Sequence, residues 1–277
     1  MDIKKLREKL KNGGVVIGTC VVECRNRQIG RIFSNSGFDF IIFDCEHGSY
    51  GLETIADMVT ISKLSGIVPF IKIGQYDYTT FSRYLDAGAD GFILPRIRKA
   101  REVEQVMEWI RFHPDGKRGY SPASPYCNYG YDIEDKDDHR QFLEQKNRGV
   151  FIVVQFETKE AVKNVDSILS VNGIDSVVMG PCDLSMSLGI PGDMSNPEMK
   201  KASTRVFDAC RRHNIYIGNT AVDMDSLKQQ IKSGLQFIWW KTDLIYLQAS
   251  AEEVSRIKDI LQDNNKYFIT GRKDVLK

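Results

Sequence analysis

Short apolar runs alternate with helical patterns along the whole chain. Eight runs rich in Val, Ile and Phe occupy residues 14–22, 39–44, 68–73, 91–97, 151–157, 176–181, 215–219 and 237–243. Several are nearly continuous in apolar residues, as expected of strands buried on both faces. Between them apolar residues recur at helical spacing, as in Leu52, Ile55, Ala56 and Val59, or Val103, Val106, Met107 and Ile110. Gly37, Gly66, Gly88, Gly173 and Gly234 stand where a helix should end before the next strand. Eight strand–helix units within a chain of 277 residues predict a TIM (β/α)8 barrel. An open doubly wound sheet is the alternative, but no G-x-G-x-x-G follows the first run. The segment 112–148 has neither period and predicts a long irregular loop: a lid, a binding loop or an insertion. The pattern predicts one domain over residues 1–277, with a core from about 4 to 250 and a polar tail from about 263 that frays or serves assembly.

Composition narrows the class. A formal net charge of +1 gives no basic footprint for nucleic acid. No stretch reaches the roughly 18 consecutive apolar residues of a membrane span. The first ten residues read as an amphipathic helix without the apolar core of a secretion signal. Cysteines 20, 24, 45, 127, 182 and 210 form no C-x-x-C pair and read as free thiols, so a cytoplasmic location is expected.

The chemistry gathers at the C-terminal ends of the runs, where barrel enzymes place their sites. There stand Asp44 and His47, Lys72, Gln155 and Glu157, Asp183, Asn219, Lys241 and Asp243. Buried carboxylates at strand ends are costly unless paired or metal-bound. Glu157 and Asp183 are one strand–helix–strand repeat apart, which places them side by side on the rim. Two hard oxygen ligands with room for water and substrate suit Mg²⁺ or Mn²⁺, and also tolerate Co²⁺. Asp183 could instead be a helix N-cap. His47 is either a hydrogen-bonded loop histidine or a general base or acid. Cys45 and Cys182 read as small packing residues. Arg96 and Arg118 bind an anionic distal group of a substrate, or are solvated. The segment 120–126, with Tyr120 and Tyr126, covers the site or packs on a neighbouring subunit.

Five segments together resemble one family: Ser36–Gly48 (SGFDFIIFDCEHG), Tyr84–Pro95 (YLDAGADGFILP), Pro114–Gly119 (PDGKRG), Val154–Thr158 (VQFET) and Met179–Ser185 (MGPCDLS). The chain resembles the HpcH/HpaI class II, pyruvate-dependent aldolases over roughly residues 4–250. These include hydroxy-oxo-heptanedioate and dehydro-deoxy-glucarate aldolases. The resemblance implies a barrel of the phosphoenolpyruvate/pyruvate-binding type, its last helix swapped between subunits, commonly in a hexamer built from dimers. It implies Glu157 and Asp183 as metal ligands and Gln155 beside the oxo acid. It further implies His47 as catalytic base or acid, Asp86 as the carboxylate that orients it, and Asp44 near the metal waters. The backbone of Gly180, Cys182 and Asp183 would hold the substrate carboxylate.

One position departs from the family pattern. Where the family has Arg on the third strand, this chain has Lys72, which keeps the charge but loses the planar fork. Lys72 then does the same job less well, serves another substrate, or supports related enolate chemistry. Such chemistry includes condensation with an acyl thioester and decarboxylation of an oxo acid. A Schiff-base lysine and a surface lysine are further readings. The expected function is metal-dependent carbon–carbon cleavage of a 4-hydroxy-2-oxo acid to pyruvate and an aldehyde, with a non-catalytic oxo-acid-binding barrel as the rival. The expected partners are these small molecules and further copies of the chain.

Overall fold

The computed structural model describes residues 1–131 and 136–271. Eight parallel strands close into a barrel in sequence order. They are β1 (Val16–Val21), β2 (Phe40–Asp44), β3 (Val68–Lys72), β4 (Gly91–Leu94), β5 (Phe151–Phe156), β6 (Ser176–Met179), β7 (Tyr216–Ala221) and β8 (Phe237–Thr242). Each lies within the apolar run predicted for it, except that β7 extends past Asn219. The five glycines expected at helix ends all have φ between 76° and 105°, the left-handed region in which a helix C-cap is cheap for glycine.

Period-2 alternation fixes what faces the barrel interior. The inward rows are Phe40, Ile42 and Asp44 on β2; Val68, Phe70 and Lys72 on β3; and Phe151, Val153 and Gln155 on β5. The apolar members of these rows share one buried cluster, and the register pairs Phe40 with Val68, Ile42 with Phe70 and Asp44 with Lys72. Phenylalanines fill the N-terminal end, with Phe40 stacked on Phe237 at 4.3 Å between centroids and Phe70 5.5 Å from Phe151. Gly18 makes room for this layer, since a Cβ there would lie 2.1 Å from the Phe40 ring. The expected N-terminal helix forms over Ile3–Lys11 and buries Leu6 and Leu10 against the same cluster. Each inward row thus starts apolar at the bottom and ends polar at the top.

The structure corrects the expected 112–148 loop. A 3-10 turn covers Pro125–Gly130, and an α-helix runs over Lys136–Gly149. The helix is polar and lacks the apolar stripe that would announce it. Its anchor is Asn147, a buried amide that accepts from the Phe112 N–H and donates to the Phe112 carbonyl. The last helix, Asp243–Gly271, reaches into the expected tail, whose residues 272–277 lie outside the described residues. No helix among the described residues is long and apolar enough to cross a membrane.

Candidate active site

The polar tops of the inward rows meet at the C-terminal rim. Glu157 follows β5 directly and is 1% exposed. It accepts hydrogen bonds from the Gln155 side-chain amide and the Arg96 backbone N–H. Arg96 adopts φ 58°, a left-handed conformation that costs a non-glycine residue about 1 kcal/mol or more. The strain turns the Arg96 N–H towards Glu157 while its guanidinium reaches Glu46 at 2.9 Å and Asp183 at 3.7 Å. Asp183 lies in the first turn of a short helix, Pro181–Ser187. The N-cap position of that helix is Gly180, so Asp183 is not the cap. Gly180 is required by close approach, because a Cβ there would sit 2.5 Å from Glu157 Oε2.

Lys72 is buried, which removes the surface-lysine reading. Its ammonium lies 2.8 Å from Glu46 Oε2 and 3.1 Å from Asp44 Oδ2. Burial alone would lower the Lys72 pKa, but the two carboxylates outweigh it and hold it above the usual lysine value. A lysine held protonated is poorly suited to Schiff-base formation. Asp44 Oδ1 accepts from the backbone N–H groups of Glu46 and His47, 2.9 Å each. Asp44 therefore shapes the turn that presents both residues. His47 projects at the rim with its side chain 56% exposed, and its Nε2 lies 3.5 Å from Glu46 Oε2.

Glu46 is the residue that the sequence reading missed. It joins Lys72, Arg96 and His47 in one network. Burial would raise its carboxyl pKa, yet Lys72 and Arg96 bring it below the usual value. It stands beyond the end of β2, so strand alternation said nothing of its direction. The only signal was its place inside the Asp-Cys-Glu-His segment.

Four carboxylates (Asp44, Glu46, Glu157, Asp183) thus share the centre with two side-chain cations, Lys72 and Arg96. Burial raises the Glu157 carboxyl pKa, and the charges of Glu46 and Asp183 add to the rise. The buried Gln155 Oε1 has no hydrogen-bond partner. An excess of two negative charges, all on hard oxygens, fits a divalent cation at Glu157 and Asp183. Among the described residues no group of three or more His, Cys, Asp or Glu is placed to hold a metal ion, so a cation at Glu157 and Asp183 would take its other ligands from substrate and water.

Other sequence-predicted residues are placed differently. Asp86 ends the helix Tyr78–Asp86, which returns from the rim towards the start of β4. It pairs there with Arg118 at 2.6 Å. Within one chain it lies at the opposite end of the barrel from His47, because a barrel helix runs antiparallel to the strand before it. Arg118 is not solvated, and within one chain it stands with Asp86 away from the rim: it is buried 4.6 Å from the Phe112 and Tyr126 ring centroids. Cys182 is exposed, so it is not a packing residue. Cys45 is partly buried, and burial pushes its thiol up to about 11, which leaves it un-ionised at neutral pH. Asp243 accepts from the N–H groups of Val22, Glu23 and Cys24 and so shapes the loop after β1.

A closed parallel barrel with a carboxylate-rich centre at the C-terminal rim defines a TIM-barrel enzyme. The chain belongs to the HpcH/HpaI aldolase/citrate lyase family, whose pattern matches residues 19–248. It is 27% identical over 220 residues to a 5-keto-4-deoxy-D-glucarate aldolase of Escherichia coli O139:H28 (strain E24377A / ETEC), covering 79% of this chain and 83% of that one. The structure of an HpcH/HpaI aldolase from Desulfitobacterium hafniense DCB-2 superposes with a TM-score of 0.84 at 31% identity, covering 91% of this chain and 96% of that one. The citrate synthase SbnG shares the fold, with a TM-score of 0.80 at 24% identity over 92% and 98% of the two chains. The chain is accordingly an enzyme, an aldolase of the carbon–carbon lyase class.

Proposed function

We propose that this aldolase cleaves a 4-hydroxy-2-oxo acid to pyruvate and an aldehyde, and runs the reverse addition, with a divalent cation held by Glu157 and Asp183. The observation that carries the reading is the excess of carboxylates around the buried Glu157. A bound Mg²⁺ or Mn²⁺ would act as a Lewis acid, drawing electron density from the keto oxygen of the oxo acid. The unpartnered Gln155 Oε1 and the cleft kept open by Gly180 support placing the oxo acid beside Glu157. Backbone groups of Gly180, Cys182 and Asp183 are suited to its carboxylate. His47 is accessible at the rim. In cleavage it would take the C4 hydroxyl proton as the C3–C4 bond breaks, and C3 then takes a proton to give the methyl of pyruvate. Lys72 holds Glu46 and Asp44 in place and adds positive charge to a centre where negative charge develops.

The test is exchange of the pyruvate methyl protons in D₂O, followed by proton NMR. Exchange is expected with Mg²⁺ or Mn²⁺ and is expected to stop with excess chelator. Exchange that persists under chelation would exclude the metal-dependent route.

The chain is also expected to work as a homo-oligomer. Leu247, Val254, Ile257 and Ile260 on the last helix are exposed in the single chain, and isolated large apolar stripes on monomers are uncommon. A second copy would cover them, and a swap of this helix would do so. The assignment of Asp86 to His47 also requires a second chain, given their positions at opposite barrel ends. The double substitution Val254→Asp with Ile257→Asp, on the exposed stripe, is expected to shift the protein to a smaller species in sedimentation velocity. An unchanged sedimentation coefficient would count against this face as the interface.

A further inference from the structure

Beside the carboxylate centre a cavity of about 470 Å³ opens between the tops of β2, β3 and β4 and the helix Ala100–Ile110. It shares Glu46, His47 and Arg96 with the centre, but none of Gln155, Glu157, Gly180 or Asp183 lines it. We propose that this cavity receives the aldehyde half of the substrate and selects uncharged aldehydes with an apolar, aromatic-sized body. The inference rests on the aldolase reading above and adds the class of aldehyde to it.

Position is the first argument. In the addition, a bond forms between the former methyl carbon of pyruvate and the aldehyde carbon, and the aldehyde oxygen takes a proton. The group that exchanges that proton must lie within hydrogen-bond reach of the aldehyde oxygen, directly or through one water. His47 lines the cavity mouth, so an aldehyde within its reach extends into the cavity. The oxo-acid end lies on the other side of Arg96, towards Gln155.

Charge is the second argument. Besides His47, the lining carries the carboxylates of Glu46 and Glu102 and the guanidinium of Arg96. Arg96 donates through Nε to Glu46 and lies 3.7 Å from Asp183. Glu102 accepts from the backbone N–H groups of Arg98 and Lys99 at the start of its helix. The wall therefore carries one more negative than positive charge, and its one guanidinium, 54% exposed, already faces two carboxylates. A carboxylate on the aldehyde would lose water and share that guanidinium with Glu46 and Asp183, beside a second wall carboxylate, which is costly. The rest of the wall is apolar or aromatic, including Ile73, Ile97, Tyr76 and Trp109. Tyr76 is occupied, its hydroxyl donating to the Pro95 carbonyl. The Trp109 indole offers a face on which an aromatic body can pack.

The experiment compares kcat/KM for pyruvate addition to benzaldehyde and to 4-carboxybenzaldehyde, which differ only in the distal carboxylate. Benzaldehyde is expected to be preferred by about tenfold or more, the discrimination given by one poorly partnered polar group. Gln105 is exposed on the cavity wall, and Gln105→Arg adds a free cation there. That variant is expected to reduce the preference by about tenfold through the carboxylated substrate. Trp109→Ala is expected to raise KM for benzaldehyde with a smaller effect on kcat. The metal-dependent D₂O exchange of pyruvate is run alongside and uses no aldehyde. A wild-type enzyme that exchanges protons yet prefers 4-carboxybenzaldehyde overturns the cavity proposal alone, as does a preference that Gln105→Arg leaves unmoved. An enzyme with no exchange overturns the pyruvate reading and the cavity proposal with it.

Discussion

Glu157→Gln is expected to abolish metal-dependent proton exchange from pyruvate, a loss on the order of a thousandfold or more. Lewis-acid stabilisation contributes several kcal/mol to such a reaction, and each 1.36 kcal/mol is about tenfold in rate. The same substitution should stabilise the metal-free protein. Burial and the neighbouring Glu46 and Asp183 raise the Glu157 pKa in the folded state. A carboxyl with a raised folded pKa costs stability as pH rises from its unfolded value, about 4.3, through its folded one. Above its unfolded value the carboxyl therefore opposes folding until a cation binds. Glutamine keeps the shape without the charge, and the Gln155 amide can turn to present its unpartnered Oε1. The variant is expected to melt about 2–4 °C above the metal-free wild type, the shift that ~1 kcal/mol gives a chain of this size. Adding Mg²⁺ or Mn²⁺ should raise Tm in the wild type and leave the variant unmoved. Thermal melts with and without metal, read beside the NMR exchange, check both halves. Full exchange in the variant would remove Glu157 from the metal site.

Lys72→Met is expected to cost about 3–5 kcal/mol, because it strands Asp44 and Glu46 as buried charges without their ammonium partner. For a chain of this size that is a fall in Tm of about 10 °C. The sign of the pH dependence follows from the two partners. Lys72 has a raised folded pKa, so its contribution is present below about pH 10.4 and is lost as pH rises through the folded value. Glu46 has a lowered one, so its contribution is present above about pH 4.3 and is lost as pH falls through the folded value. The gap between wild type and variant should therefore be widest from about pH 5 to about pH 10 in urea melts at a series of pH values. A gap that is constant to pH 3 would mean that Lys72 stabilises by packing alone. Lys72→Arg separates structure from catalysis, since it restores a planar fork beside the same two carboxylates. Higher aldol activity in that variant would mark Lys72 as a weaker substitute for arginine. Lower activity would mark it as matched to this enzyme's own substrate. Borohydride added with pyruvate should leave no covalent adduct on Lys72 by mass spectrometry, as expected for an amine held protonated.

What could be read from the chain is what period and spacing encode. Eight apolar runs with helical patterns between them determine the barrel, and alternation within β2, β3 and β5 determines that Asp44, Lys72 and Gln155 point inward at the rim. The spacing of Glu157 and Asp183 is likewise one repeat of the fold. The family followed from five short segments together. Residues outside a strand's period could not be read this way. Glu46 lies past the end of β2, and its direction is set by a turn that Asp44 ties together through two backbone N–H groups. Arg96 enters the centre through a left-handed backbone that its sequence neighbours do not require. The Lys136–Gly149 helix carries no apolar stripe, and its place depends on Asn147 meeting the backbone of Phe112, 35 residues away. Asp86 stands in a familiar segment, yet the reversal of chain direction in its helix takes it to the far end of the barrel. Local periodicity is a property of consecutive residues, so the sequence alone determined the strands and their faces. Contacts between distant loops depend on how the closed barrel brings its rims together, and these only the tertiary structure decided.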